Sequence, residues 1–179
     1  GGRAVSEAVA GTRARGADEG EDAALAYDML LSPKEHEEFA IVREEVRRAL
    51  AEVADGGSDG VEVELEKGIL RNVAVQHLYA RLSAPLASGK SEADLVGALH
   101  PTPAVCGYPR QSALQTLRAV ESFDRGLYSG PLGWISSEGA EFSVAIRSAL
   151  VHPSEDEISL YAGVGVVGSA NAQSEWHEL

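Results

Sequence analysis

The sequence predicts an α+β fold in which helices and hairpin-linked strands form sheets flanked by helices. Three observations support this prediction. Residues 33–54 carry apolar side chains at helical spacing, and residues 61–86 alternate apolar and polar side chains as strands do. The order of the segments lacks the regular strand–helix–strand alternation of a parallel sheet. The 179 residues contain no internal repeat and fit a single domain or part of one.

Composition narrows the classes of function. The hydrophobic fraction of 44% is enough for a core, and no apolar run approaches the roughly 18 residues of a membrane span. The net charge of −13 disfavours nucleic acid as a partner and predicts an acidic, hydrated surface. A small anionic ligand would therefore need a local positive group. The single cysteine excludes an internal disulfide.

The helix predicted over residues 33–54 has the clearest local signals. Ser32 is a natural N-cap, Pro33 suits the first helical position, and Glu35 would complete a capping box. The helix is amphipathic, with its apolar residues at Phe39, Ile41, Val42, Val46, Leu50 and Val53.

The other elements follow from alternation, periodicity and turn residues. In chain order they are a strand (4–10), a glycine- and charge-rich loop (11–23), a helix from Glu21 to Leu31, strands (61–70 and 72–86), a helix (91–99), a loop (100–110), a helix (110–123), strands near 130–137, 141–151 and 157–167, and a last helix (169–179).

Two pairs of glutamates are candidates for metal binding. Glu35 and Glu38 lie three positions apart on the long helix, and Glu175 and Glu178 lie three positions apart on the last one. This spacing places each pair on one helix face. Carboxylates on fixed elements suit Mg²⁺, which takes one or two of them together with water and substrate. The same spacing is also typical of solvated helix faces in an acidic protein.

Two cationic or titratable side chains lie in predicted strands. Arg147 lies in the apolar segment 141–151, where alternation places it on one face with Ser143 and Ala145. A guanidinium there either faces solvent or is directed into a cleft, where it would bind a carboxylate. His77, in the segment 72–86, is expected to be a hydrogen-bonded core residue.

Two further segments are rich in glycine or proline. Gly163, Gly165 and Gly168 have the spacing GxGxxG, but no helix follows directly, so a dinucleotide site is rejected. Close backbone approach to a ligand remains a use for these glycines. Residues 100–110, HPTPAVCGYPR, carry three prolines and predict an ordered loop, in which Cys106 is expected to be a small packing residue.

Seven segments occur along the chain in a defined order: AGTRARG, SPKEHEEFAIVRE, VQHLYARL, ALHPTPAVCGYPR, ESFDRGLYSGPLGW, FSVAIRSALV and YAGVGVVGSANAQSEWHEL. They resemble the isochorismate synthases, which are members of the chorismate-utilising enzymes. The residues in these segments are most similar to those of the plant and algal members. The resemblance implies that residues 1–179 are the C-terminal part of one chorismate-binding catalytic domain, similar to anthranilate synthase component I. It also implies conversion of chorismate to isochorismate with Mg²⁺, by addition of water at one ring carbon and loss of hydroxyl at another.

The resemblance gives roles to the four glutamates. Glu38 and Glu178 are similar to the family's Mg²⁺ ligands, and the ion binds the ring carboxylate of the substrate. Glu35 and Glu175 resemble neighbours that tune the metal site. A metal ion together with an arginine would let a dianion bind to an acidic protein.

The resemblance also implies substrate contacts. Arg147 resembles the arginine that binds the enolpyruvyl carboxylate, and Gly163 a glycine whose backbone meets the same group. Gly11 resembles a residue that lines the pocket, and His77 a histidine beside the substrate ring. Ala104 stands where aminating and salicylate-forming relatives usually carry threonine, which indicates water as the nucleophile.

Several expectations concern the protein beyond these residues. The family's lysine base and glutamate acid are expected upstream of residue 1, so the chain alone is expected to be inactive, and half of a sandwich would expose apolar strand surface. The product would enter phylloquinone, menaquinone or salicylate synthesis, in a plastid or, for a bacterial protein, in the cytoplasm. A monomer is expected, without nucleic-acid or membrane partners, and an oligomer stays open. The alternatives are a salicylate- or anthranilate-forming relative and a truncated, non-catalytic one.

Overall fold

A computed structural model describes residues 2–152, 154 and 156–178, apart from the side chains of Ser174 and Glu178. Its antiparallel strands and interspersed helices confirm the predicted α+β class. The elements are β1 (Arg3–Ala14), α1 (Glu19–Leu31), α2 (Pro33–Val53), a short 3₁₀ turn (Gly57–Gly60), β2 (Glu62–Arg71), β3 (Val75–Pro85), α3 (Glu92–Leu99), α4 (Arg110–Val120), β4 (Pro131–Ile135), β5 (Ala140–Val144), β6 (Ser148–His152), β7 (Glu157–Tyr161) and α5 (Ala172–Glu178).

The core lies between α2 and an antiparallel sheet of order β1–β3–β2. The central strand β3 contributes Leu78, Ala80 and Leu82 at every second position, as one face of a strand does. Small alanines on β1 let the helix approach closely. The helix contributes a buried stripe at 3.6-residue periodicity, formed by Phe39, Val42, Val46, Leu50 and Val53.

β1 extends beyond the predicted strand 4–10 and includes residues 11–14, so the prediction of a loop there is wrong. The pairing register with β3 shifts between Ala10 and Thr12, which makes Gly11 the extra residue of a β-bulge. Its φ of +72° lies in the left-handed region, which glycine adopts without a Cβ clash. The bulge redirects the strand without ending it, and glycine content alone cannot distinguish these two outcomes.

α1 is tied to the sheet through a buried carboxylate. Asp22 accepts hydrogen bonds from Arg15 Nε at 2.6 Å, from the Gly16 amide at 3.0 Å and from Arg71 Nε at 3.1 Å. The hydrogen bond from Arg15, followed by that from Gly16, holds the pKa of Asp22 well below its usual value. Because Arg15 follows β1 and Arg71 ends β2, these bonds fix the start of α1 against the sheet.

The second half of the chain contains a break that alternation did not reveal. Residues 141–151 were expected to form one strand, but β5 ends at Val144 and β6 begins at Ser148. Between them Arg147 has a φ of +47°, a left-handed conformation that cannot continue a strand. The placement of Arg147 inside a strand is therefore wrong. In the same way, β7 ends at Tyr161, well before residue 167.

The strands β4 to β7 form two separate hairpins with largely exposed apolar side chains. Leu132, Trp134, Ile158 and Leu160 are 49%, 53%, 61% and 81% exposed. Patches of this kind mark surfaces that pack against another structure, and they confirm the expected exposure of apolar strand surface. Within the described ranges, no helix is both long enough and apolar enough to cross a membrane.

Candidate functional site

The first turns of α2 form the centre of the candidate site. Glu35 precedes Phe39 by four residues and Val42 by seven, so it continues the buried stripe towards the helix N terminus. It is only 2% exposed. Ser32 caps the helix by accepting a hydrogen bond from the Glu35 amide at 3.5 Å. The predicted capping box is not completed, because the Glu35 carboxylate binds Arg13 instead.

A buried ion pair and a glycine surround the Glu35 carboxylate. Arg13 Nη1 donates to Glu35 Oε1 at 2.6 Å, and a Cβ on Gly11 would lie 2.6 Å from Glu35 Oε2. The bulge of β1 thus brings its backbone against the second carboxylate oxygen. Removing one partner of a buried pair costs about 3–5 kcal/mol, and the 29% exposure of Arg13 favours the lower end of that range.

His77 lies on β3 beside the same bulge and is 6% exposed. Its Nδ1 is 3.0 Å from Gly11 O and 3.3 Å from Thr12 Oγ1. Because a carbonyl oxygen can only accept, Nδ1 carries the proton that it donates to Gly11. In the neutral ring Nε2 is then the unprotonated nitrogen. His77 is therefore the hydrogen-bonded histidine that the sequence predicts, with its tautomer set by the bulge.

The glycine segment after β7 passes close to two side chains. A Cβ on Gly165 would overlap the Glu38 carboxylate, and a Cβ on Gly163 would lie 2.6 Å from Tyr128 Oη. Tyr128 itself stacks on Tyr161, with ring centroids 5.3 Å apart. The backbone of this segment therefore lies against side chains of the protein itself, and its close approach to a ligand stays a prediction.

A second ion pair joins α5 to α2. Lys34 Nζ donates to Glu175 Oε1 across 141 positions of sequence. Glu175 is 5% exposed, and its Oε2 is buried without a hydrogen-bond partner among the described residues. A buried acceptor without a donor costs about 1–3 kcal/mol. This oxygen therefore fits a place where a further donor binds, such as a water molecule carried by a metal ion.

These carboxylates fit the Mg²⁺ ion that the resemblance implies. Mg²⁺ needs only one or two protein carboxylates and keeps several waters, and Glu175 Oε2 is a buried acceptor for such a water. Among the side chains that the structure describes, no three histidines, cysteines or carboxylates form a group able to hold a metal. Glu178, the second predicted ligand, lies outside those described side chains. The ligand pair Glu38 and Glu178 stays a prediction.

Two residues that were predicted to contact the substrate lie apart from the carboxylates of α2 and α5. Ala104 is exposed in the loop between α3 and α4, and Arg147 is exposed between β5 and β6. In the described part of the chain, neither side chain forms a hydrogen bond or ion pair with α2. The loop of Ala104 is ordered, as its prolines predict, with the Cys106 amide donating to Thr102 O at 3.1 Å. Burial raises the pKa of the Cys106 thiol, in agreement with a packing role.

Sequence reasoning did not identify Arg13, Lys34 and Tyr128 as part of the site. Arg13 lies in a segment that was interpreted as a loop, and the other two act through contacts between distant elements. One usable signal was present: Glu35 lies at a position of α2 that is apolar in every later turn. A carboxylate in line with a buried stripe predicts a buried carboxylate, which needs a cation.

Residues 1–179 match the family described as chorismate binding enzymes. The chain is 44% identical over 174 residues to the chloroplastic isochorismate synthase of Catharanthus roseus, and the match covers 97% of this chain and 29% of that protein.

Solved structures agree with the sequence match. A Bacillus anthracis protein described as a candidate 2,3-dihydroxybenzoate-specific isochorismate synthase superimposes with a TM-score of 0.88 at 36% identity, over 98% of this chain and 46% of that one. Anthranilate synthase component I from Streptococcus pneumoniae superimposes with a TM-score of 0.75 at 24% identity, over 99% of this chain and 38% of that one. The latter shows the fold alone. The chain spans less than half the length of each of these relatives.

Proposed function

We propose, because this chain belongs to the chorismate binding enzyme family, that the full-length gene product converts chorismate to isochorismate. The observation that carries the proposal is the 44% identity to an isochorismate synthase across 97% of the chain. The hydroxyl of one water adds at one ring carbon as a base takes its proton, and the hydroxyl on another ring carbon takes a proton from an acid and leaves as water, so the molecular formula is unchanged. Residues outside this chain would supply the lysine base and the glutamate acid.

The proposed metal ligands are Glu38 and Glu178, with Glu35 and Glu175 beside them. When bound, Mg²⁺ supplies positive charge for the ring carboxylate of chorismate. The support from the structure is the buried Glu175 Oε2 without a described donor, and the backbone of Gly165 against the Glu38 carboxylate. Glu35, held by Arg13, keeps the start of α2 fixed against β1.

The substrate would be held by residues on both halves of the chain. Arg147 would pair with the enolpyruvyl carboxylate, and the backbone of Gly163 would meet the same group. His77 would lie beside the ring, with its orientation set by the hydrogen bond between Nδ1 and Gly11 O. The methyl group of Ala104 offers no hydrogen bond to a competing nucleophile, which favours water. Gly11 would line the pocket through its bulged backbone.

The compartment and the pathway are further proposals. The name of the Catharanthus roseus relative, chloroplastic, supports a plastid for a plant or algal protein, and a bacterial protein would act in the cytoplasm. Isochorismate would then enter phylloquinone, menaquinone or salicylate synthesis.

The test uses the full-length gene product with chorismate and MgCl₂, and separates the products by chromatography. Isochorismate is expected as the product. Salicylate or anthranilate would assign the protein to another branch of the family, and no product would favour a non-catalytic relative. Glu38→Gln is expected to lower kcat/KM about 100-fold at a fixed low Mg²⁺ concentration. Glu37→Gln, at the exposed neighbouring position, is the matched control, and an equal effect in both variants would remove Glu38 from the site.

A further inference from the structure

We propose that Lys34 is a positioning residue of the metal site: it holds Glu175, and with it the last helix, so that a hydrated divalent cation can bind beside Glu38. The proposal rests on the proposed function and adds a residue to which the resemblance assigns no role. Three features of the described residues support it.

The first feature is the tie between distant elements. The ion pair of Lys34 and Glu175 joins two residues that are 141 positions apart. The helix α5 comprises only seven residues, Ala172–Glu178, which is too short for a stable helix without tertiary contacts. The side chains of the pair are 25% and 7% exposed, so salt screens their attraction less than that of a surface pair.

The second feature is that the two oxygens of the Glu175 carboxylate have different surroundings. Lys34 occupies Oε1, while Oε2 is buried with no described donor. An ionised carboxylate accepts on both oxygens. Mg²⁺ retains several waters in protein sites, and each can donate to a nearby carboxylate. Lys34 therefore fixes one oxygen and leaves the other for a water of the cation.

The third feature is the position of Lys34 on α2. Lys34 and Glu38 are four residues apart on one helix and are neighbours on its surface. The same helical turn thus carries the proposed ligand and the cation that holds Glu175. A contact made by Lys34 sets how far the carboxylates of α5 lie from Glu38.

A lysine near a cation site can act in two ways, and these predict effects of opposite sign. If Lys34 acts only through its charge, it repels the incoming cation, and its removal tightens binding. If it positions Glu175, its removal frees α5 and weakens binding. Partners of this kind contribute about 10–100-fold to metal affinity. We therefore expect the removal of Lys34 to weaken the binding of the cation.

The experiment titrates the full-length gene product with MgCl₂ alone in a calorimeter. Lys34→Met is expected to raise the Mg²⁺ Kd about 10–100-fold and to speed amide hydrogen exchange in residues 172–178. Lys34→Arg, which keeps the charge and a donor, is expected to restore most of the affinity. Lys90→Met, at an exposed lysine before α3, is the control and is expected to bind as the wild type does.

Each outcome decides for or against the proposal. An unchanged or lower Kd in Lys34→Met overturns it, as does a weakened affinity without faster exchange in α5. If Glu38→Gln abolishes binding while Lys34→Met binds normally, the metal site stands and only the role of Lys34 falls. A wild type that does not bind Mg²⁺ overturns both. If Lys34→Met does not fold, Lys34→Gln is held to the same criteria.

Discussion

Replacing Gly11 by alanine tests how the β1 bulge packs against Glu35. Gly11 has a φ of +72°, and a non-glycine residue in the left-handed region costs roughly 1–2 kcal/mol. The new Cβ would also lie 2.6 Å from Glu35 Oε2. Glu35 can move away only by weakening its hydrogen bond with Arg13, which contributes about 1.5–3 kcal/mol. We therefore expect Gly11→Ala to lower the free energy of unfolding by about 3–4 kcal/mol.

Gly89→Ala is the matched control for this prediction. Gly89 has a φ of +82°, and no heavy atom of the described residues lies within 4 Å of the place where its Cβ would be. It therefore has the backbone cost without the collision. The excess loss in Gly11→Ala, about 2 kcal/mol or a factor of about 30 in the unfolding equilibrium, measures the contact with Glu35. Urea denaturation of both variants of the full-length gene product determines it, and equal losses would refute the argument.

Two further predictions concern the metal and the pH. Gly165→Ala should raise the Mg²⁺ Kd about 10-fold or more, since its Cβ would displace the Glu38 carboxylate. Gly168→Ala is the control, because a Cβ there would meet open space among the described residues. Equal Mg²⁺ affinities of the two variants in calorimetry would contradict the placement of Glu38 at the metal site. The hydrogen bond from Arg15 lowers the pKa of Asp22, so this carboxylate stabilises the folded protein above its ordinary pKa of 3.8 and loses that effect as the pH falls towards the folded-state pKa. The difference in urea midpoint between wild type and Asp22→Asn should stay constant from about pH 7 to about pH 5 and shrink below about pH 4, and a difference independent of pH would count against it.

Local patterns predicted the helices well, because capping and periodicity depend on neighbouring residues. The helix expected over residues 33–54 is observed as Pro33–Val53, and the one expected over 91–99 as Glu92–Leu99. Ser32 forms the predicted cap of the former. The family was also predictable, because seven collinear segments carry far more information than any one spacing, and the match over residues 1–179 confirms it.

Features that depend on contacts between distant elements were not predictable in the same way. The continuation of β1 through Gly11 requires β3 as its partner, and the break at Arg147 is a change of backbone direction within an uninterrupted apolar pattern. The pair of Lys34 and Glu175 requires knowledge of where the last helix packs. The predicted site residues therefore fall into groups with different outcomes. Glu35 and His77 both lie against Gly11 of the β1 bulge, whereas Ala104 and Arg147 are exposed elsewhere, and the ligand roles of Glu38 and Glu178 stay predictions.

The two ion pairs give a physical reason why Glu35 and Glu175 can lie buried in an acidic protein. Two like charges 4 Å apart repel by about 4 kcal/mol at an effective dielectric constant of about 20, so carboxylates gathered in one place need compensation. Glu35 and Glu175 each have a cation of their own, Arg13 and Lys34. In both pairs the cation donates to Oε1, and Oε2 of Glu175 is left without a donor among the described residues. Removal of either cation would leave a buried carboxylate unpaired, which is costly.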